Sequence, residues 1–270
     1  MMNDPTTHNH THEAVPVQRL GEFLAEYTSW LWGCGATCER IDKNVGRIAA
    51  SYGYEADLTM MPRHITVALK LPGTQSVHTF NNSTAHCGIN FDLNSSLSTL
   101  SWNISDKKLS LDDAQTRFRQ LVSKTYNDSA RICLLTSLAN ASFCRLFGGD
   151  LSAMTIVFGT TLIGYLCKQL MLARHIDVRA VFFFCALIST ILCAAALTLG
   201  YSDTPRVALA TAVLYLIPGV PYLNSANDMI AKHYVCAFGR FMDAVVLTAM
   251  LSAGLCLGLY IMNINTIWEL

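Results

Sequence analysis

Residues 180–200, AVFFFCALISTILCAAALTLG, decide the fold class of this 270-residue chain. No charged side chain occurs between Ala180 and Ser202. A helix rises about 1.5 Å per residue, so the run is long enough to cross a hydrocarbon core of about 30 Å. It therefore predicts a transmembrane helix.

The C-terminal half repeats this apolar character. Residues 132–270 carry 13 charged side chains, against 25 in residues 1–131. The predicted spans cover about 131–147, 151–170, 180–200, 206–222 and 241–263. Asn140 and Arg145 interrupt the first span, and a buried helix of a soluble domain is the alternative there. The predicted fold is an α+β cytoplasmic domain followed by an α-helical transmembrane bundle of about five helices.

The connecting segments indicate the orientation of the spans, because Lys and Arg accumulate on the cytoplasmic side. Cations lie before the first span, between the second and third, and between the fourth and fifth: Lys124, Arg131, Arg174, Arg179, Lys232 and Arg240. This alternation predicts that the N-terminus is inside and the C-terminus outside. Small residues within the spans predict that the helices pack closely: Gly159, Gly164, Ser189, Gly254 and Gly258.

The first part of the chain predicts a soluble α+β domain at 16–128, after a disordered tail at 1–15. Apolar spacing in 16–53 predicts two helices, and a helix capped by Ser110 and Asp113 is predicted later. Four β-rich runs predict a small antiparallel sheet: 56–62, 64–71, 76–82 and 85–92. The N-terminus has no signal-peptide pattern, which predicts a cytoplasmic location for this domain.

Several function classes find no support in the sequence. The net charge is +0 and no face concentrates Lys and Arg, so nucleic acid is not a predicted partner. Sequence motifs of hydrolases, nucleotide-binding proteins and zinc proteases are absent. Cys34 with Cys38 could have a metal or redox role, and His86 and Cys87 could form a Cys/His site with His64 or His78, but packing is the alternative in both cases. No catalytic residue, metal or cofactor is therefore predicted.

Residues 214–234, LYLIPGVPYLNSANDMIAKHY, interrupt the fourth span. Proline lacks an N–H and prevents a regular helix, and freed carbonyls at membrane depth need protein or a water-filled cavity to satisfy them. Polar residues beside a broken span commonly mark a transport pathway, and helix N-termini can receive a carboxylate. A wet cytoplasmic loop is the alternative. The predicted pathway or substrate-binding residues are Pro218, Gly219, Pro221, Asn224, Asn227 and Asp228.

An acid near the start of the last span suggests ion coupling. Asp243 is placed to bind a driving proton, and Arg240, one helical turn earlier, to hold its charge. A local structural ion pair is the alternative.

The sequence resembles the threonine/serine exporter family over nearly its whole length. Residues 33–69 resemble the N-terminal signature of the family, with Gly35, Arg40 and Gly53 in the matching places. FGGD at 147–150 resembles the turn after the first span. PGVPYLNSANDMIAKHYVCAFGRFMDA at 218–244 is the most specific match, although Asp243 stands where Glu is expected.

The resemblance implies one subunit of a secondary exporter in the bacterial inner membrane, surrounded by lipid. The implied substrate is a small metabolite with a carboxylate, threonine/serine or a C4-dicarboxylate such as succinate. An ion gradient is the implied energy source, since no ATP-binding motif occurs. Because the chain stops after its fifth predicted span, a separate small transmembrane subunit is the implied partner. The alternative functions are a membrane-anchored enzyme that uses the soluble domain and a structural subunit that does not transport.

Overall fold

A computed structural model describes residues 15–85, 88–123, 129–198, 200 and 202–262. It is mostly helical with one small sheet. The chain groups into two compact units, Met1–Thr125 with Asn224–Gly239, and Tyr126–Leu223 with Arg240–Leu270. The sequence predicts a single boundary near residue 128; in the structure the segment Asn224–Gly239 groups with the first unit. The predicted tail at 1–15, apart from Val15, lies outside the described residues.

The first unit begins with two helices, a three-stranded sheet and two further helices. These are α1 Val17–Gly33, α2 Cys38–Ser51, β1 Glu55–Met60, β2 His64–Lys70, β3 Val77–Ser83, α3 Phe91–Lys107 and α4 Leu111–Ser123. The strands are antiparallel in the order β1-β2-β3. The small sheet and the two N-terminal helices are therefore confirmed.

The core of the first unit forms between α1, α2, α3, α4 and one face of the sheet. In β2 the buried residues alternate, so that Ile65, Val67 and Leu69 face the helices and their neighbours do not. This period of two is the side-chain alternation of a pleated strand with one covered face. The core aromatic rings Phe23, Tyr27 and Phe118 pack together within about 6 Å.

The chain after β3 differs from the sequence prediction. The fourth β-rich run, 85–92, forms no strand in its described residues, and His86 and Cys87 lie outside them. Instead the Asn90 side chain accepts a hydrogen bond from the Leu93 amide at 2.9 Å and caps α3, a helix that was not predicted. The predicted cap of α4 is confirmed, because the Ser110 hydroxyl accepts from the Asp113 amide at 3.2 Å.

Among the described residues of the second unit, every regular element is a helix. Its elements are α5 Ser129–Leu146, α6 Leu151–Ala173, α7 Val178–Leu197, α8 Pro205–Ala212, a 3-10 helix Leu214–Leu216, and the parts of α9 Gly219–Ile230 and α10 Tyr234–Ile261 that belong to this unit. Helices α6, α7 and α10 are each long and apolar enough to cross a membrane. Pro205–Leu216 with Gly219–Ile230 makes a fourth candidate if the bent pair is one span.

The remaining predicted span, 131–147, forms α5. This helix is not among those that are long and apolar enough to cross a membrane. Its sequence mixes polar and apolar residues, but the large apolar side chains Leu134, Leu135 and Leu138 are exposed on its surface. An exposed apolar face suits contact with lipid or another protein. The count of five spans therefore stays a prediction.

Small residues bring the helices of the second unit together, as expected. A Cβ atom on Gly254 would overlap the Phe183 carbonyl oxygen, and one on Gly258 would lie 2.8 Å from Thr190 Cβ, so α10 packs against α7 at both glycines. Gly159 has open space around it and does not serve this purpose.

Candidate functional site

The fourth predicted span breaks at Ile217 and Pro218. Helix α8 ends at Ala212, one 3-10 turn follows, and α9 begins at Gly219, so that the two segments are bent by 63°. Ile217 has extended ψ (124°), the conformation that a following proline favours. Proline also lacks the N–H that a continuous helix would use, which explains the break.

The second proline, Pro221, is compatible with helix α9 because of its position in that helix. Pro221 lies in the first turn of α9, where a missing N–H costs no intrahelical hydrogen bond. Pro218 is buried, whereas Gly219 and Pro221 are half-buried. A Cβ atom added at Gly219 would meet no other atom within 4 Å, so the glycine leaves open space at the start of α9.

A buried asparagine satisfies the backbone beside the break. Asn140 Nδ2 on α5 donates to the Thr211 carbonyl oxygen at 3.0 Å and to Thr161 Oγ1 at 2.6 Å. Asn140 is 3 % exposed, and Thr211 lies in the last turn of α8, where helix carbonyls lose their intrahelical partners. Asn140, which interrupts the apolar sequence of the first predicted span, therefore stabilises the end of α8 beside the break.

A pair of hydroxyl groups joins the 3-10 turn before the break to α7. Tyr215, in the 3-10 turn, and Ser189 on α7 are hydrogen-bonded with 3.0 Å between their oxygens. A Cβ atom at Gly164 on α6 would overlap both oxygens, so this glycine is what allows the pair to form. On the other side of the break, Tyr222 and Thr248 share a hydrogen bond of 2.9 Å. The sequence predicts Ser189 only as a small packing residue and gives no role to Tyr215, Tyr222 or Thr248, because a lone hydroxyl group in an apolar run carries no local signal.

The polar residues that follow the break belong to the first unit, and two of them bind backbone groups within it. Asn224 Nδ2 donates to the Gly35 carbonyl oxygen at 2.8 Å, and Asp228 Oδ1 accepts from the Cys38 amide at 2.8 Å. Asp228 is fully buried. Cys38 is the first residue of α2, so the carboxylate lies where unpaired N–H groups and the helix dipole favour negative charge.

The other predicted residues of this region lie apart from that contact. Asn227 is exposed, although it is only one residue from Asp228. Arg240 is half-buried and Asp243 is exposed, both on α10. Three of the six predicted pathway residues thus form the break, two hold the α1–α2 turn, and one faces outward.

The signature residues of the soluble part have structural roles. Gly35 and Gly53 adopt positive φ values of 90° and 82°, which glycine accepts without strain, and they end α1 and α2. Arg40 donates to Asn94 Oδ1 at 3.1 Å and so joins α2 to α3.

The side chains of Cys34 and Cys38 are buried, and Cys34 Sγ donates to the Leu31 carbonyl oxygen at 3.3 Å. Among the described residues, no group of three or more His, Cys, Asp or Glu side chains is arranged to hold a metal. His86 and Cys87 lie outside the described residues.

An acidic cap closes the connection between α5 and α6. Asp150 accepts hydrogen bonds from the amides of Ala153 and Asp203 and from the hydroxyls of Ser202 and Thr204, all at 2.8–3.1 Å. The amide of Ala153, with these other donors, lowers the pKa of Asp150 to about 2. This residue belongs to the FGGD turn that carries part of the resemblance.

Comparison with known proteins supports the resemblance. A family described as "Putative threonine/serine exporter" matches residues 22–262. The chain is similar to "Probable succinate transporter subunit YjjP" of Klebsiella aerogenes, with 28 % identity over 165 residues, and to the protein of that name in Escherichia coli, with 31 % over 140 residues. These matches cover 61 % and 52 % of both chains, so the chain spans between half and two thirds of these relatives.

No solved structure matches the chain significantly. The family match covers most of the sequence, including the break and the soluble signature, and the apolar helices agree with a multi-pass membrane protein. The chain therefore belongs to the threonine/serine exporter family.

Proposed function

We propose that this chain is one subunit of a secondary exporter of the bacterial inner membrane, and that it moves small metabolites with a carboxylate. The observation that carries the proposal is the interrupted helix, bent by 63° at Pro218, with its Thr211 carbonyl held by the buried Asn140. Irregular backbone at membrane depth is tolerated where protein or a water-filled pathway satisfies it. Broken helices of this kind form the substrate sites of many secondary transporters.

The pathway in this proposal passes the break and its polar face. Pro218, Gly219 and Pro221 open the helix, and Gly219 leaves space beside it. Exposed Asn227 is available to a ligand, whereas Asn224 and Asp228 hold the segment through Gly35 and Cys38. We expect Asn224→Ala and Asp228→Ala to lose export while the protein still inserts in the membrane.

The names of the family and of the relatives support the proposed substrate class. The family description names threonine and serine, and the curated relatives are named for succinate. All three compounds carry a carboxylate, which is the shared chemistry of the proposed substrate. Asp243, with Arg240 one turn earlier on α10, is the proposed site of ion coupling.

A second, small transmembrane subunit is the proposed partner. The relatives are named as subunits, which supports an assembly of more than one chain. In the proposed topology the N-terminus is inside, five helices cross the membrane, and the C-terminus is outside. Accessibility labelling of single cysteines placed near each terminus tests this, and labelling of both from one side would exclude five spans.

The function is tested by efflux from proteoliposomes loaded with labelled succinate, threonine or serine. Vesicles with this chain alone, with the small subunit alone, and with both proteins are compared under an imposed proton gradient. We expect efflux only when both are present. Absence of efflux for all three substrates in vesicles with both proteins would contradict the exporter proposal, and robust efflux from the chain alone would contradict the need for a partner.

A further inference from the structure

One cation lies within the apolar part of α6. Lys168 is the only charged residue between Leu151 and Ala173, and it lies five residues before the end of that helix, about 7.5 Å along its axis. A charged side chain inside a spanning helix is costly, and such residues commonly mark a substrate or ion pathway.

Two aromatic rings lie near the ammonium group of Lys168. Its Nζ atom lies 5.5 Å from the ring centre of Tyr165, one turn back on α6, and 5.5 Å from that of Phe182 on α7. The faces of these rings attract a cation. Among the described residues, no carboxylate lies within ion-pairing distance of Lys168. The rings hold the positive charge without neutralising it.

This cation is connected to the broken helix. The ring of Tyr165 lies 6.2 Å from the ring of Tyr215, which belongs to the 3-10 turn just before Pro218. The Tyr215 hydroxyl bonds Ser189 at 3.0 Å. Packed aromatic rings therefore link the positive charge of Lys168 to the interrupted span and to the hydroxyl pair of Tyr215 and Ser189. A cation and hydroxyl donors are groups that bind a carboxylate.

We propose that Lys168 binds a carboxylate group of the transported metabolite and so makes the pathway selective for anions. The inference rests on the proposed export function and names the group that recognises the substrate charge. The aromatic rings keep the ammonium group in place when the site is empty. A substrate carboxylate then supplies the countercharge that the described residues do not.

The plain alternative is that Lys168 only reaches the membrane surface, as long cationic side chains near helix ends do. Membrane anchoring and substrate binding by Lys168 make different demands on this side chain. An anchoring lysine needs a positive charge near the end of α6 and is indifferent to substrate, whereas a binding lysine changes substrate affinity. Arg174, exposed at the end of the same helix, offers a matched control for general effects of removing a cation.

The test uses this chain together with the small subunit in proteoliposomes, with Lys168→Gln, Lys168→Arg and Arg174→Gln. We expect Lys168→Gln to raise the KM for succinate at least about 10-fold, Lys168→Arg to restore most of the affinity, and Arg174→Gln to leave it unchanged. An unchanged KM in Lys168→Gln, with wild-type efflux intact, would overturn the inference and leave the export function standing. Absence of carboxylate efflux from the wild type would overturn both.

A second measurement needs no variant. The wild-type assembly is treated with an amine-reactive reagent with and without saturating succinate, and modification of Lys168 is measured by peptide mass spectrometry. We expect succinate to slow modification of Lys168 at least about 5-fold, with no effect on the exposed Lys43. Equal rates with and without succinate would overturn the proposal even if the substituted proteins did not fold.

Discussion

The contact between Asp228 and α2 leads to a quantitative prediction. Its carboxylate is fully buried and accepts a 2.8 Å hydrogen bond from the Cys38 amide. Asp228→Ala removes the acceptor and leaves a buried N–H, a change that costs about 1–3 kcal/mol. This cost falls on the α1–α2 turn, because Cys38 begins α2. We therefore expect the substitution to favour local opening of that turn.

The opening can be measured through the thiols of the turn. Cys34 and Cys38 are both buried, so they react only when the turn opens. If opening and closing are fast compared with modification, a loss of 1–3 kcal/mol raises the labelling rate about 5- to 140-fold. The assay is modification of the purified protein by a thiol reagent, followed by mass spectrometry of the tryptic peptide 20–40, which contains both cysteines.

Two variants separate the causes of the effect. Asp228→Asn keeps an acceptor oxygen but loses the negative charge, which near a helix N-terminus contributes about 0.3–1 kcal/mol. We therefore expect the labelling rate of the two thiols to rise about 2- to 5-fold. Asn227→Ala alters an exposed neighbour on the same helix and should leave the rate unchanged. Equal labelling of wild type, Asp228→Ala and Asn227→Ala would refute the view that Asp228 stabilises this turn.

Three further predictions concern single residues. Asn140→Leu removes the side-chain donor that the Thr211 carbonyl and the Thr161 hydroxyl share, so the free energy of unfolding in detergent should fall by about 1–3 kcal/mol; an unchanged value would contradict the proposed support of the break. Because the pKa of Asp150 is lowered to about 2 in the folded protein, its carboxylate contributes fully to stability above about pH 4. That contribution is lost as the pH falls towards 2. Asp150→Asn should therefore weaken the pH dependence of thermal stability in that range, and an identical acid profile would exclude this cause. Asp243→Asn should abolish proton-driven efflux or flatten its pH dependence; if both were unchanged, Asp243 would have no coupling role.

Much of the architecture could be predicted because it depends on local properties of the chain. The uncharged run at 180–200 determines that α7 is a candidate span, since its length and composition suffice whatever it packs against. Pro218 likewise determines the break, because a missing N–H and a restricted preceding residue act within a few residues. The cap of α4 by Ser110 is local in the same way.

Other predictions failed or were incomplete where distant groups decide the outcome. The run at 85–92 has strand-like composition, but Asn90 caps α3 instead. Four of the six buried residues of that helix are apolar, and most of the residues between them are polar. Asn140 looked like a defect in a span because its partners, Thr161 and Thr211, lie 21 and 71 residues away. A hydrogen bond of that separation leaves no periodic signal in the sequence.

The sequence by itself determined the division into a charged part and an apolar part, the position of the broken helix and the family signature. Hydropathy and backbone chemistry act over one or two turns, so they can be read residue by residue. Only the tertiary structure decided that Asp228 binds the amide of Cys38, 190 residues earlier, and that Lys168 lies near the rings of both Tyr165 and Phe182. Such contacts depend on how whole helices pack, and the residues that form them carry no common local pattern.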